Sequence, residues 1–326
     1  MAGRSSTRRI DLSELRKLAC SGKLRKAQRA RYFLEDVDKS RPFSPAIRVN
    51  PETVNLHGER LSSAEAVVLL NEAVTSTAAT ARAAARPRLR IYSEGDSWFN
   101  LPDFLPWYPP DCIDILDRTF EARRNTTAIW GDTLKNMVAG KQYLQKLGSG
   151  NFHHFLISGG GNDVLQDIGK HVLPRRTVDT DPGNAANYVK SSFDDVVGKL
   201  IRYYRAIHRD VTTRIPVEVV MFVHGYGNCH PLPDGKYLGK PLEKLGFDPA
   251  IHEAFARAIV AELLRRFNKA LAAFAASHAR VVYLDMRPLL TAASDWNFDE
   301  IHPSGAGATE VAGAFKTAIQ AHTFVA

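Results

Sequence analysis

The pattern of apolar and polar positions changes at about residue 88. Before it, the apolar spacing is helical. Leu12, Leu15, Leu18 and Leu24 mark a helical stretch over 11–38. The segment 41–51, RPFSPAIRVNP, carries three prolines and reads as a connector. Ser62 and Glu65 stand at the spacing of a capping box, and an Ala-rich helix follows to about Ala85. Within it Val67, Val68, Leu69 and Leu70 call for burial. Residues 1–87 therefore read as a mainly helical N-terminal extension.

Beyond Arg88, short β-rich runs alternate with helical ones. LRIYSEG is a strand, DCIDILDRTF a helix, and TTAIWGD a second strand and turn. TLKNMVAGKQYLQKL reads as one helix closed by Gly148, and FHHFLISGGGND as the third strand and a loop. A helix covers Asn184 to His208, and IPVEVVMFVHG is the fourth strand. A long helix spans 249–277, ARVVYLDM is the fifth strand, and 304–321 is the last helix. This alternation implies βαβ units and a parallel sheet covered on both faces. Five strands predict a three-layer α/β/α sandwich for 88–326. Two long segments, 166–183 and 225–250, follow strands at their carboxyl ends and should flank a site there.

Composition narrows the class only a little. The 326 residues are 44% hydrophobic and 24% charged, ordinary for a globular protein with a sizeable core. No apolar run reaches the roughly 20 residues that span a bilayer, and the basic N-terminus lacks the apolar stretch of a secretory signal. The expectation is a cytoplasmic protein, with signal-independent export left open. Cys20, Cys112 and Cys229 form no CxxC pair, so they give neither a disulfide framework nor a zinc site. Of the net charge of +8, an excess of 7 lies in residues 1–41. That basic arm is either a solvated segment or a peripheral contact with an anionic membrane. No nucleic-acid-binding signature accompanies it, which disfavours a nucleic-acid partner.

The candidate chemistry lies where strands run out. Ser97 follows the first strand in GDSW. Asp299 and His302 sit three apart in FDEIHPSG, a spacing that lets the carboxylate hold Nδ1–H and leaves Nε2 free for a proton from Ser97. Gly131 in IWGDT and Asn162 in SGGGNDV end the second and third strands, where backbone and amide N–H groups can meet an oxyanion. Each alone reads as a turn glycine or a helix cap. His153 and His154 read as packing or edge residues. His224, Cys229 and His230 surround a Gly-rich loop that could line a pocket, and Trp107 to Pro110 read equally as an apolar lip or a core plug. The GGGN run lacks the pattern of a dinucleotide site.

In order, GDS, GDT, GGND and DxxHP resemble the SGNH hydrolase family, the GDSL esterases and lipases. The resemblance covers about residues 88–322. It matches Ser97, Gly131, Asn162 and His302 to the four residue types of the family's name, with Asp299 completing a triad. It implies a flavodoxin-like α/β/α sandwich and Ser-His-Asp hydrolysis of carboxylic esters, with Ser97, Gly131 and Asn162 as the oxyanion hole and no cofactor or metal. The small-molecule or lipid ester substrate is open. A (lyso)phospholipase at anionic membranes and a carbohydrate O-deacetylase are alternatives within that chemistry, and a catalytically silent binding protein is one outside it. Trp98 stands where the family usually has leucine, Gly95 is read as allowing the turn, and Asp96 as bonding nearby backbone.

Overall fold

The computed structural model describes residues 9–40, 46–82, 89–102, 108–150 and 152–322. The chain divides into two compact units, Met1–Arg88 with Pro102–Tyr108, and Leu89–Leu101 with Pro109–Ala326.

The first unit is less purely helical than its apolar spacing suggests. Strand β1 (Ile10–Asp11) leads into helix α1 (Leu12–Cys20), followed by α2 (Lys26–Tyr32) and β2 (Phe33–Glu35). Strand β3 (Ile47–Val49) pairs antiparallel with β2, and β4 (Val54–Asn55) pairs parallel with β1. Part of the expected helix over 11–38 and part of the expected connector over 41–51 are thus strands. Alternation decides it: Ile47 and Val49 are buried while Arg48 between them is exposed. The capping box is present, with Ser62 N–H donating to Glu65 Oε2 at 2.7 Å and Glu65 N–H to Ser62 Oγ at 3.3 Å. It opens α3 (Ser63–Arg82). Leu69 and Leu70 are buried and Val68 is exposed, because four consecutive helical residues cannot all face one side. The expected end of this helix near Ala85, and Trp107, lie outside the described residues.

In the second unit β5 (Ile91–Gly95) is followed by α4 (Cys112–Leu116), α5 (Leu134–Gly140) and α6 (Gln142–Ser149). Then come β6 (His154–Ser158), α7 (Gly161–Leu165), α8 (Ile168–His171) and α9 (Ser192–Arg214). Last are β7 (Val220–His224), α10 (Gly239–Glu243), α11 (Pro249–Ala276), β8 (Val281–Leu284) and α12 (Gly305–Ala321). The sheet is parallel in the order β5-β6-β7-β8 and flanked by helices. Every residue of β5, β6 and β7 is buried, which is why FLI and VMFV are continuous apolar runs instead of alternating ones.

The sheet has four strands, not the five expected. The segment TTAIWGD runs beside the free edge of β5 without becoming a strand. Thr127 N–H donates to Ser93 O and Ile129 N–H to Gly95 O, both at 2.9 Å, yet only one bridge forms, between Ser93 and Thr126. Side chains interrupt the ladder. Thr126 Oγ1 takes Ala128 N–H, and Asn100 Nδ2 donates to Ala128 O at 2.8 Å. The segment still lies on the far side of β5 from β6, so the chain order reverses at β5. Open α/β sheets place their sites at such a reversal.

The helix expected over 133–147 is two helices. Lys141 between them has φ 49°, left-handed backbone that breaks the hydrogen-bond ladder of α5 and starts α6 afresh.

Candidate active site

Gly95, Ser158 and His224 end neighbouring strands, and the chain beyond them builds the site. The ladder extends by one bond past β5, from Asp96 N–H to Ser158 O at 3.0 Å, and the chain then turns. Gly95 serves close packing, not the turn's dihedrals. A Cβ there would lie 2.8 Å from both Cβ and O of Ser158. Asp96 does accept backbone N–H, from Trp98 at 3.1 Å. It also takes Ser158 Oγ–H at 2.6 Å and Tyr226 O–H at 2.5 Å. The carboxylate therefore ties the Ser97 turn to β6 and to the chain after β7. Neither Ser158 nor Tyr226 was legible as a partner, since 62 and 130 residues separate them from Asp96.

Asp299 and His302 lie in an irregular segment before α12. Its ends are drawn together by the Trp296–Pro303 bridge and by bonds from Asn297 N–H to His302 O and Ser304 N–H to Asp295 O, both 2.7 Å. Asp299 Oδ1 accepts His302 N–H at 3.1 Å, leaving Oδ2 for the ring. His302 Nδ1 is 2.6 Å from Asp299 Oδ2, and Nε2 is 2.6 Å from Ser97 Oγ. A carboxylate only accepts, so it fixes the ring proton on Nδ1 and leaves Nε2 as acceptor for Ser97 O–H. All three residues are at least 95% buried. The indole N–H of Trp98 donates to Ile301 O at 3.2 Å, joining the two turns beside that contact. Trp98 also stacks on His224, centroids 5.2 Å apart, and meets Tyr226 edge-on at 4.9 Å.

Gly131 has φ 74°, a left-handed conformation that glycine adopts without strain. Asn162 occupies the first turn of α7, and its Nδ2 donates to Asp132 O at 2.8 Å. That bond ties the 131–133 turn to α7 and uses one of two amide protons. Among the described residues no protein acceptor takes the N–H of Ser97 or Gly131.

The carboxyls beneath are held toward their neutral forms. Burial pushes Glu94 up to about 8, helped by the charge of Asp132, and Asp163 up to about 6. Asp132 is raised for the same reason. Of the other expected site neighbours, His224 and Cys229 are buried, the former driven toward its neutral form by that burial. His230 lies 3.5 Å from Glu253. His153 and His154 bond backbone oxygens of Glu218 and His322. Among the described residues no group of three or more His, Cys, Asp or Glu converges as a metal site.

A search of curated protein sequences returns no match. Solved structures overlap at low identity. An aryl esterase from M. smegmatis is 13% identical, covers 72% of this chain and 99% of its own, and has a TM-score of 0.45. A family 3 carbohydrate esterase from Clostridium thermocellum is 13% identical over 71% and 94% with TM-score 0.41, and a lipase/acylhydrolase from Enterococcus faecalis 13% over 71% and 96% with TM-score 0.38. The sequence model of the GDSL-like lipase/acylhydrolase family matches residues 97–315. That match runs from Ser97 past the His302 turn and takes in well over half of the chain, so the protein belongs to the GDSL-like lipases and acylhydrolases, hydrolases that act on esters.

Proposed function

We propose that this protein hydrolyses carboxylic esters through an acyl-enzyme on Ser97. The observation that carries the reading is the buried chain from Ser97 Oγ through His302 to Asp299, with both contacts at 2.6 Å. Ser97 Oγ attacks the acyl carbon as its proton passes to His302 Nε2. Asp299 keeps the ring in the accepting tautomer and offsets the imidazolium charge. The carbonyl oxygen becomes an oxyanion, for which the N–H groups of Ser97 and Gly131 and the remaining Asn162 amide proton are suited donors. His302 returns its proton to the leaving alcohol. A water, deprotonated by the same nitrogen, then attacks the acyl carbon and releases the acid and Ser97.

A narrower reading, an ester at an anionic lipid surface, is favoured by one feature. Lys17, Lys23, Arg25 and Lys26 are exposed on and between α1 and α2.

The test is turnover of a panel of aryl esters, lysophospholipids and acetylated sugars by wild type and Ser97→Ala, with fluorophosphonate labelling of both. Loss of the nucleophile should cost at least about a thousandfold in kcat and abolish labelling. Near-wild-type turnover by folded Ser97→Ala would sink the reading.

A further inference from the structure

Glu300 lies between the acid Asp299 and the base His302 in the chain, and its side chain has no part in the chemistry above. It is fully buried. Its backbone has φ 74°, where every side chain is strained and only glycine sits freely. Such strain persists where the surrounding structure holds the residue in place. The Glu300 carboxylate receives four backbone N–H groups from one loop. Oε1 accepts from Leu232 and Gly239 at 2.8 Å each, and Oε2 from Tyr237 and Leu238 at 2.9 Å each. The loop is shaped around those oxygens: a Cβ on Gly235 would stand 2.0 Å from Oε1. With two donors on each oxygen, a proton on the acid would face N–H groups and find no acceptor. Burial pushes the carboxyl upward and the four N–H groups pull it back. Both oxygens are occupied and neither reaches solvent, so Glu300 does not touch a substrate.

The loop it grips belongs to the long segment after β7. The opposite end of Glu300 is the turn itself, where its N–H donates to Asn297 O at 3.1 Å, one residue from Asp299 and two from His302. We propose that Glu300 is a positioning residue: by locking the 232–239 loop onto the His302 turn through a four-point carboxylate clamp, it fixes the Ser97–His302 contact. The inference rests on the reading of Ser97 and His302 as nucleophile and base. A turn that belongs to no strand or helix gains from the clamp the rigidity that a regular element would otherwise supply.

The test uses the full chain and a small soluble ester, 4-nitrophenyl acetate. Glu300→Gln keeps the volume but turns an amide NH2 toward two of the four N–H groups. Glu300→Gly relieves the backbone and removes the clamp. Both are expected to lower kcat about 10- to 100-fold, as sub-ångström misplacement of a catalytic group does, with KM within about twofold. The rate of fluorophosphonate labelling should fall in parallel. Wild-type kcat and labelling rate in folded Glu300→Gly would show a spacer and overturn the inference, even if its melting temperature had dropped. Should both variants fail to fold, Gly235→Ala pushes on Oε1 from the loop side and leaves the turn's own residues intact. It should lower kcat in the same way, and a folded Gly235→Ala with wild-type kcat overturns the clamp. Ser97→Ala and His302→Ala run alongside. If these keep turnover, the triad reading fails and the inference falls with it. If they lose turnover while the Glu300 variants do not, the clamp alone is wrong.

Discussion

The Ser97 turn and the His302 turn meet at the 2.6 Å contact of the two side chains and at the Trp98–Ile301 bond beside it, yet they are built on different principles. The first is an extension of the sheet. It leaves β5 by one more ladder bond, packs Gly95 on Ser158, and seats the Asp96 carboxylate between side chains of two neighbouring positions. The second has no regular element under it. Short backbone bonds close its ends, Asp299 caps its own turn, and Glu300 is gripped by a distant loop. Reactive groups that must stay within hydrogen-bond reach can thus be placed either by repetitive main-chain pairing or by carboxylates that collect N–H groups.

The contrast can be broken first at Asp299. Asp299→Asn preserves the shape of the His302 turn but offers an amide that can force the ring into the wrong tautomer. A kcat loss of about 10³- to 10⁴-fold is expected, with little change in KM. A loss under tenfold would mean that the turn, not the carboxylate, sets the tautomer.

On the sheet side the informative residue is Glu94, just before Gly95. Its ordinary value is 4.5 and burial raises it to about 8 in the folded protein. Between those values the folded state keeps a proton that the unfolded chain has released. Stability from this group is therefore complete below about 4.5 and falls as pH rises toward about 8. Glu94→Gln should flatten the decline of melting temperature across that window. Parallel curves for the two proteins would remove Glu94 as its source.

The smallest expected effect is at Trp98, which joins the turns. Trp98→Phe deletes the bond to Ile301 O while keeping an aromatic ring against His224 and Tyr226. A net hydrogen bond is worth about 1 kcal/mol, so kcat should fall by less than about tenfold. An unchanged kcat would show that the two turns keep their spacing without it.

How much of this the sequence discloses follows the same division. Buried parallel strands read directly as apolar runs, so β6 and β7 are legible, β5 and β8 show as the β-rich runs LRIYSEG and ARVVYLDM, and the small and polar residues at the strand ends stand out as site candidates. The structure brings together Ser97, Asp299 and His302, which the DxxH spacing and the GDS and DxxHP motifs suggest. What escapes is non-local. Nothing in TTAIWGD announces that Asn100 will take the Ala128 carbonyl, and a run of good helix formers hides the break at Lys141. Glu300 looks like a spacer in DEIH, because its four donors lie 61 to 68 residues upstream in a loop with no periodicity.

The interrupted ladder at 126–130 has a consequence beyond the site. A sheet that ends in a long, regular strand offers its unpaired donors and acceptors to any other chain, and such edges nucleate aggregation. Here the outermost segment pairs with β5 through two N–H groups and one bridge, and spends its Ala128 carbonyl on an inward side chain. It presents no repeating row of groups for a stranger to join. The irregularity that removes a fifth strand also blunts that border of the sheet against edge-to-edge association.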